Sequence, residues 1–120
     1  MNSNFVLIVA AGKGSRMQSD LPKQYLILQD KPVLMHTIER FHQSKTQPEI
    51  IIVIHPDMAS YWKQLCEEYN FSTPHLITYG GLTRFQSVKN GLDFIKKNVN
   101  SLEKSFIAVH DAARPLIQLD

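Results

Sequence analysis

Cysteine is nearly absent from this chain of 120 residues. Cys66 alone cannot close an internal disulfide, and a single thiol suits a reducing, cytoplasmic compartment. It falls within an amphipathic stretch with no basic partner in view, which makes it a core or helix-face residue and not a nucleophile. No apolar run reaches the length of a membrane span. The first four residues, MNSN, carry no cation, so they lack the charged head of a secretory signal. Charge of one sign is scarce too: the net charge of +2 is too small to argue for a nucleic-acid partner. There is no internal repeat and no low-complexity tract. With 43% apolar and 20% charged residues, what remains is one globular domain facing a small ligand.

Glycine is limited to five residues, and two pairs of them follow directly on apolar runs. Residues 5–11, FVLIVAA, read as a strand buried on both faces, the kind found inside a parallel sheet. The run feeds a loop that holds Gly12, Lys13, Gly14 and Arg16, with Lys23 close behind in PKQY at residues 22–25. The loop therefore leaves the carboxyl end of a central strand, where open α/β sheets bind ligands. Gly12 and Gly14 have no side chain to hold a ligand away, and their amides can turn together onto phosphate oxygens. Arg16 brings a forked donor matched to phosphate and Lys23 a compact point charge. Met17 stands where a dinucleotide fingerprint needs its third glycine, and the spacing of a P-loop is not met either.

Further along, residues 31–42 read as a helix with Pro32 in its first turn and Val33, Leu34, Ile38 and Phe41 on one face. His36 and His42 flank that face as structural or solvated groups. Residues 49–55 form a second buried strand. Asp57 is placed to cap a helix over residues 58–69 with Trp62, Leu65 and Cys66 on its apolar side. A short third strand, residues 75–79, enters a second glycine turn at Gly80 and Gly81. Thr83 is placed as the cap of a helix that carries Val88, Leu92 and Ile95 on one face. Arg84 and Ser87, three apart, project from one side of its start. An arginine there opposes the helix dipole, a mismatch that a bound phosphate would reconcile.

Residues 105–111 form a fourth strand that ends in Asp111. Magnesium prefers one or two carboxylates together with ligand phosphates, so Asp111 is a candidate ligand for a metal shared with a nucleotide. Arg114 beside it can take a phosphate or pair with Asp111, and His110 reads as a hydrogen-bonding support. Strands alternate with helices throughout, which predicts right-handed crossovers and an α/β, mostly parallel, doubly wound sheet. Three strand ends that carry polar motifs then share one edge of it.

Four motifs thus stand in order: AAGKGSRM at residues 10–17, PKQY at 22–25, GGLTRFQSV at 80–88 and HDAARP at 110–115. Together they resemble the 2-C-methyl-D-erythritol 4-phosphate cytidylyltransferases, over nearly the whole chain. The resemblance implies a Rossmann-like fold of the nucleotide-diphospho-sugar transferase type, CTP as donor and a divalent cation, Mg2+. The reaction it implies joins CMP to the 4-phosphate of 2-C-methyl-D-erythritol and releases pyrophosphate, a step in non-mevalonate isoprenoid precursor synthesis. It implies Arg16 and Lys23 as the catalytic pair that stabilises the transition state. Ala10, Ala11, Gly12 and Gly14 then surround the nucleotide, Gly81, Arg84 and Ser87 hold its cytidine part, Ala112 and Arg114 adjoin it, and Asp111 is the metal ligand.

Members of that family are longer. The resemblance therefore makes residues 1–120 the truncated N-terminal, nucleotide-binding part of a single cytidylyltransferase domain. The C-terminal half, with its dimerisation arm and its grip on the polyol phosphate acceptor, is expected to be absent, and the full-length protein to be a homodimer. Two consequences are expected: little or no turnover by this chain alone, and an open apolar edge on the fourth strand. A related cytidylyltransferase that uses ribitol 5-phosphate shares most of these motifs. A nucleotide-binding module without turnover is the other description of the shortened chain. Neither nucleic acid nor membrane is an expected partner.

Overall fold

The structure is a computed structural model that describes residues 3–11, 23–98 and 105–112. Side chains along a strand point alternately to opposite faces, so an unbroken apolar run must be covered on both sides. In β1 (Ser3–Ala10), Val6, Ile8 and Ala10 enter one buried cluster while Phe5 and Leu7 enter another. In β4 (Glu49–Ile54) the division repeats, with Ile50, Ile52 and Ile54 on the first face and Ile51 and Val53 on the second. β1 pairs in parallel with β4 on one side and with β6 (Ser105–Asp111) on the other. β5 (Leu76–Tyr79) pairs with β4, which gives the order β5-β4-β1-β6.

Helices cover both faces. α1 (Val33–His42) gives Leu34, Met35 and Ile38 to the first cluster, and α2 (Ala59–Glu68) gives it Trp62 and Leu65. α3 (Arg84–Asn98) packs Ile95, Val88 and Leu92 on the second. Mid-helix Gly91 is explained by that contact: a Cβ there would lie 2.4 Å from Leu7 Cδ1, so its absence lets α3 settle on β1. The doubly wound parallel sheet expected from the sequence is what forms, with β1 at its centre. Edge strands expose apolar side chains, Leu76, Ile77 and Tyr79 on β5 and Val109 on β6. No helix among the described residues is long and apolar enough to cross a membrane.

Local details differ from expectation. A two-stranded antiparallel ribbon, β2 (Ile27–Leu28) and β3 (Lys31–Pro32), precedes α1 and turns through Gln29 at φ 65. Pro32 is therefore not in the first turn of α1. It pairs with Ile27 and takes the N-cap position with an extended ψ of 146. Val33 N instead donates to the Leu26 carbonyl at 2.9 Å. His36 Nε2 donates to the Leu28 carbonyl at 2.8 Å and Lys31 pairs with Glu39, so α1 is stapled to the ribbon. His36 is thus structural, and His42 is exposed.

Nor does Asp57 cap α2. The Asp57 amide donates to His55 Nδ1 at 3.0 Å in a 3-10 turn, Pro56–Met58, and α2 starts after it. The His55 ring nitrogen caps that 3-10 turn, and α2 itself follows Met58 without a side-chain cap. Cys66 is half-buried, and burial, helped by the charge of Glu67, pushes its thiol up to about 11. It stays neutral and unreactive at physiological pH, as the lack of a basic partner suggested.

Candidate functional site

Parallel pairing sends the carboxyl ends of β1, β4 and β6 to the same edge of the sheet, and each end is tied off by a specific hydrogen bond. Past the end of β6, Ala112 N donates to the Val9 carbonyl at 3.0 Å. Gly80 N donates to the Ile54 carbonyl at 2.8 Å and seats the β5–α3 turn against β4. Gln24 Nε2 donates to the Ala10 carbonyl at 2.9 Å and brings the chain back to β1. A cleft of about 350 Å³ opens among these ends. Ala10 and Ala11 line it from β1, Gly81, Arg84 and Ser87 from the turn and first turn of α3, and Asp111 and Ala112 from β6.

The α3 wall is held by its own turn chemistry. Thr83 Oγ1 accepts from Gln86 N at 3.0 Å, the cap expected of it, while Gln86 Oε1 accepts from Leu82 N at 3.3 Å. The exchange resembles a capping box and satisfies two amides of a helix start. Ser87 is 1% exposed, and its Oγ accepts from Gly81 N at 3.1 Å. A hydroxyl that accepts there still has its own proton to donate. Gly80 lets the walls touch: a Cβ on it would lie 2.5 Å from both Ala11 Cβ and Ser87 Oγ. Glycine at this point is a packing requirement as well as a turn preference.

The charged pair on the cleft is Arg84 with Asp111, Nε to Oδ1 at 3.2 Å. Arginine at a helix start is thus met by a carboxylate from the end of β6, before any phosphate is involved. Asp111 pairs with Arg84, while Arg114, expected as an alternative partner, lies outside the described residues along with Gly12, Gly14 and Arg16. Lys23 is described as the opening residue of a 3-10 turn, Lys23–Tyr25. Among the described residues no three His, Cys, Asp or Glu side chains are grouped to hold a metal ion. Asp111 is the one carboxylate among the described residues that line the cleft, and one carboxylate suits Mg2+ only when nucleotide phosphates and water complete the shell.

Three supporting residues were not picked out from the sequence. Gln24 is buried at the cleft, Tyr25 is fully buried, and Thr37 Oγ1 lies 3.2 Å from the Ala112 carbonyl. Tyr25 packs its ring 5.5 Å from Tyr61 and 6.3 Å from Trp62, which anchors the PKQY motif on α2. His110 sits edge-on to Phe41 at 5.1 Å. The only sequence signal for the first two was their place beside Lys23 in a motif. For Thr37 there was none.

Comparison with known proteins bears on this geometry. The sequence profile of the 2-C-methyl-D-erythritol 4-phosphate cytidylyltransferases matches residues 4–120. The protein of that name from Azobacteroides pseudotrichonymphae is 48% identical over 118 residues, which is 98% of this chain and 50% of the relative. Its counterpart from Bacteroides thetaiotaomicron is 49% identical over 115 residues, 96% of this chain and 50% of the relative. A crystal structure of 4-diphosphocytidyl-2C-methyl-D-erythritol synthase superposes with a TM-score of 0.76 at 26% identity, and the match covers 98% of this chain and 49% of that one. The chain spans about half the length of the curated relatives it matches.

Proposed function

This chain belongs to the 2-C-methyl-D-erythritol 4-phosphate cytidylyltransferase family, and on that premise we propose that its cleft takes CTP as the donor for cytidylyl transfer to 2-C-methyl-D-erythritol 4-phosphate. Residues 1–120 supply the nucleotide-binding part of the domain in this reading. Homodimer formation is proposed on kinship alone.

The observation that carries the reading is the convergence of Ala10, Ala11, Gly81, Ser87 and Asp111 on one cleft at the carboxyl edge of a parallel sheet. Cytosine presents acceptor atoms, and the Ser87 hydroxyl has a proton to give. Its hydrogen bond from Gly81 N supports a fixed orientation. The end of β1, with Gly12 and Gly14, carries the triphosphate on backbone amides. An acceptor phosphate attacks the α-phosphorus, and negative charge builds on the nonbridging oxygens and on the departing pyrophosphate. Arg16 and Lys23 meet that charge, and no protein nucleophile is needed. Removing either costs on the order of a hundredfold in rate. Asp111 would hold Mg2+ together with the nucleotide phosphates, and the ion would neutralise part of their charge. Arg84 orients the Asp111 carboxylate, and a bound phosphate competes for the same guanidinium.

Calorimetric titration with CTP, UTP and ATP, with and without Mg2+, tests the reading on the wild type and on Asp111→Ala. CTP is expected to bind best and to need Mg2+. Asp111→Ala is expected to weaken that binding about thirtyfold, the scale of one lost charged ligand. Equal affinity for all three nucleotides, or Mg2+-dependent binding unchanged by Asp111→Ala, overturns it.

A further inference from the structure

We propose that Gln24 is a positioning residue that holds Lys23 in register with the phosphate-facing end of β1, an inference that rests on the nucleotide reading above. Gln24 is 6% exposed and lines the cleft. Its Nε2 donates to the carbonyl of Ala10, the last residue of β1, at 2.9 Å. A buried amide is costly unless its hydrogen bonds are met, whereas an aliphatic side chain of the same size would fill this space without that demand. What the amide adds is orientation.

The next residue makes the anchor two-sided. Tyr25 is fully buried, with its ring against Tyr61 and Trp62 of α2. Gln24 ties the 3-10 turn to β1, and Tyr25 ties it to the helix layer. Lys23 opens the same turn, which is only three residues long. So short a turn has no slack to absorb a shift. The backbone from which Lys23 springs is thereby fixed to the strand end that begins the phosphate loop. Loss of the Gln24–Ala10 bond frees that backbone while leaving the Gly81–Ser87 wall intact.

A double-mutant cycle separates positioning of Lys23 from general support of the cleft. CTP is titrated calorimetrically, and cytidine by NMR shift, into the wild type, Gln24→Leu, Lys23→Ala and the double variant. Gln24→Leu is expected to weaken CTP about tenfold, the scale of one charge-assisted hydrogen bond, and cytidine by less than about twofold. In the Lys23→Ala background the same change is expected to cost less than about twofold, because the group it positions is already gone. An equal loss in both backgrounds, or an equal loss for cytidine and CTP, overturns the proposal and leaves the nucleotide reading in place. A wild type that binds no CTP brings down that reading and this one with it. If Gln24→Leu melts early, Gln24→Met, which keeps the side-chain length, enters the same cycle.

Discussion

Two clefts of nearly equal size open toward opposite ends of the sheet. One, of about 350 Å³, lies at the carboxyl ends of the strands. The other, of about 370 Å³, is lined by Phe5 and Val6 at the start of β1, by Phe41 and Pro48, and by Ala108. Volume does not distinguish them, but chemistry does. The first gathers a buried glutamine, a buried serine hydroxyl and an arginine–aspartate pair, and the second is walled mainly by apolar side chains. Parallel topology accounts for the contrast. The four parallel strands leave the sheet on one side, where the β5–α3 turn and the ends of β1 and β6 bring their polar groups together, and all enter on the other. A few convergent polar groups mark the first as a ligand site where volume alone cannot.

Substitutions on either side should break function and stability apart. The largest effect is expected for Gly80→Ala, whose new Cβ collides with Ala11 and Ser87. Overpacking of this kind costs about 1–3 kcal/mol, and the displaced Ser87 should also carry away CTP affinity. Denaturant melts and CTP titration of one preparation check both halves. At the other cleft, Phe41→Ala removes a half-buried ring packed on His110. It is expected to cost about 2 kcal/mol, below the range for fully buried rings, and to leave CTP affinity within about twofold. If Phe41→Ala abolished CTP binding while the protein stayed folded, the division of labour between the two ends would be wrong.

The same contrast governs what could be read in advance. β1 and β4 were legible because a fully buried strand announces itself as a continuous apolar run, and the cleft was legible because polar residues follow those runs directly. Pairings between distant side chains left no mark. Arg84 finds Asp111 across 27 positions and Thr37 finds the Ala112 carbonyl across 75. Thr37 sits in an ordinary helix, and the mismatch of Arg84 with its helix start pointed to a phosphate, so neither residue named its distant partner. The β2–β3 ribbon was invisible for another reason: two residues per strand cannot show a period of two, and its turn depends on Gln29 at positive φ. His55 accepts the Asp57 amide because the chain is extended at His55, with ψ 136, just before a 3-10 turn that the apolar pattern does not announce.

The smallest predicted effect sharpens the contrast through pH. His75 lies just before β5, on the side where the strands enter the sheet. Its Nε2 accepts from Trp62 Nε1 at 3.2 Å and its Nδ1 faces the Thr73 carbonyl at 2.8 Å. The first bond needs Nε2 unprotonated, so the fold selects the neutral ring with its proton on Nδ1. Burial among Trp62 and Phe71 pushes the His75 imidazole below its ordinary value, and the bond to Thr73 opposes this only in part. With the folded value below the unfolded one, the unfolded chain binds more protons in the window between them. His75 thus contributes stability fully above about pH 6.5 and loses it as pH falls toward the depressed folded value. Denaturant melts from pH 8 to pH 5 on the wild type and on His75→Gln should converge as pH falls, because the variant lacks that loss. CTP affinity at pH 8 should be equal for both, since His75 stands well away from the carboxyl-end cleft. Parallel stability curves would remove His75 from the account, and a CTP deficit at pH 8 would show that the two ends of the sheet are coupled.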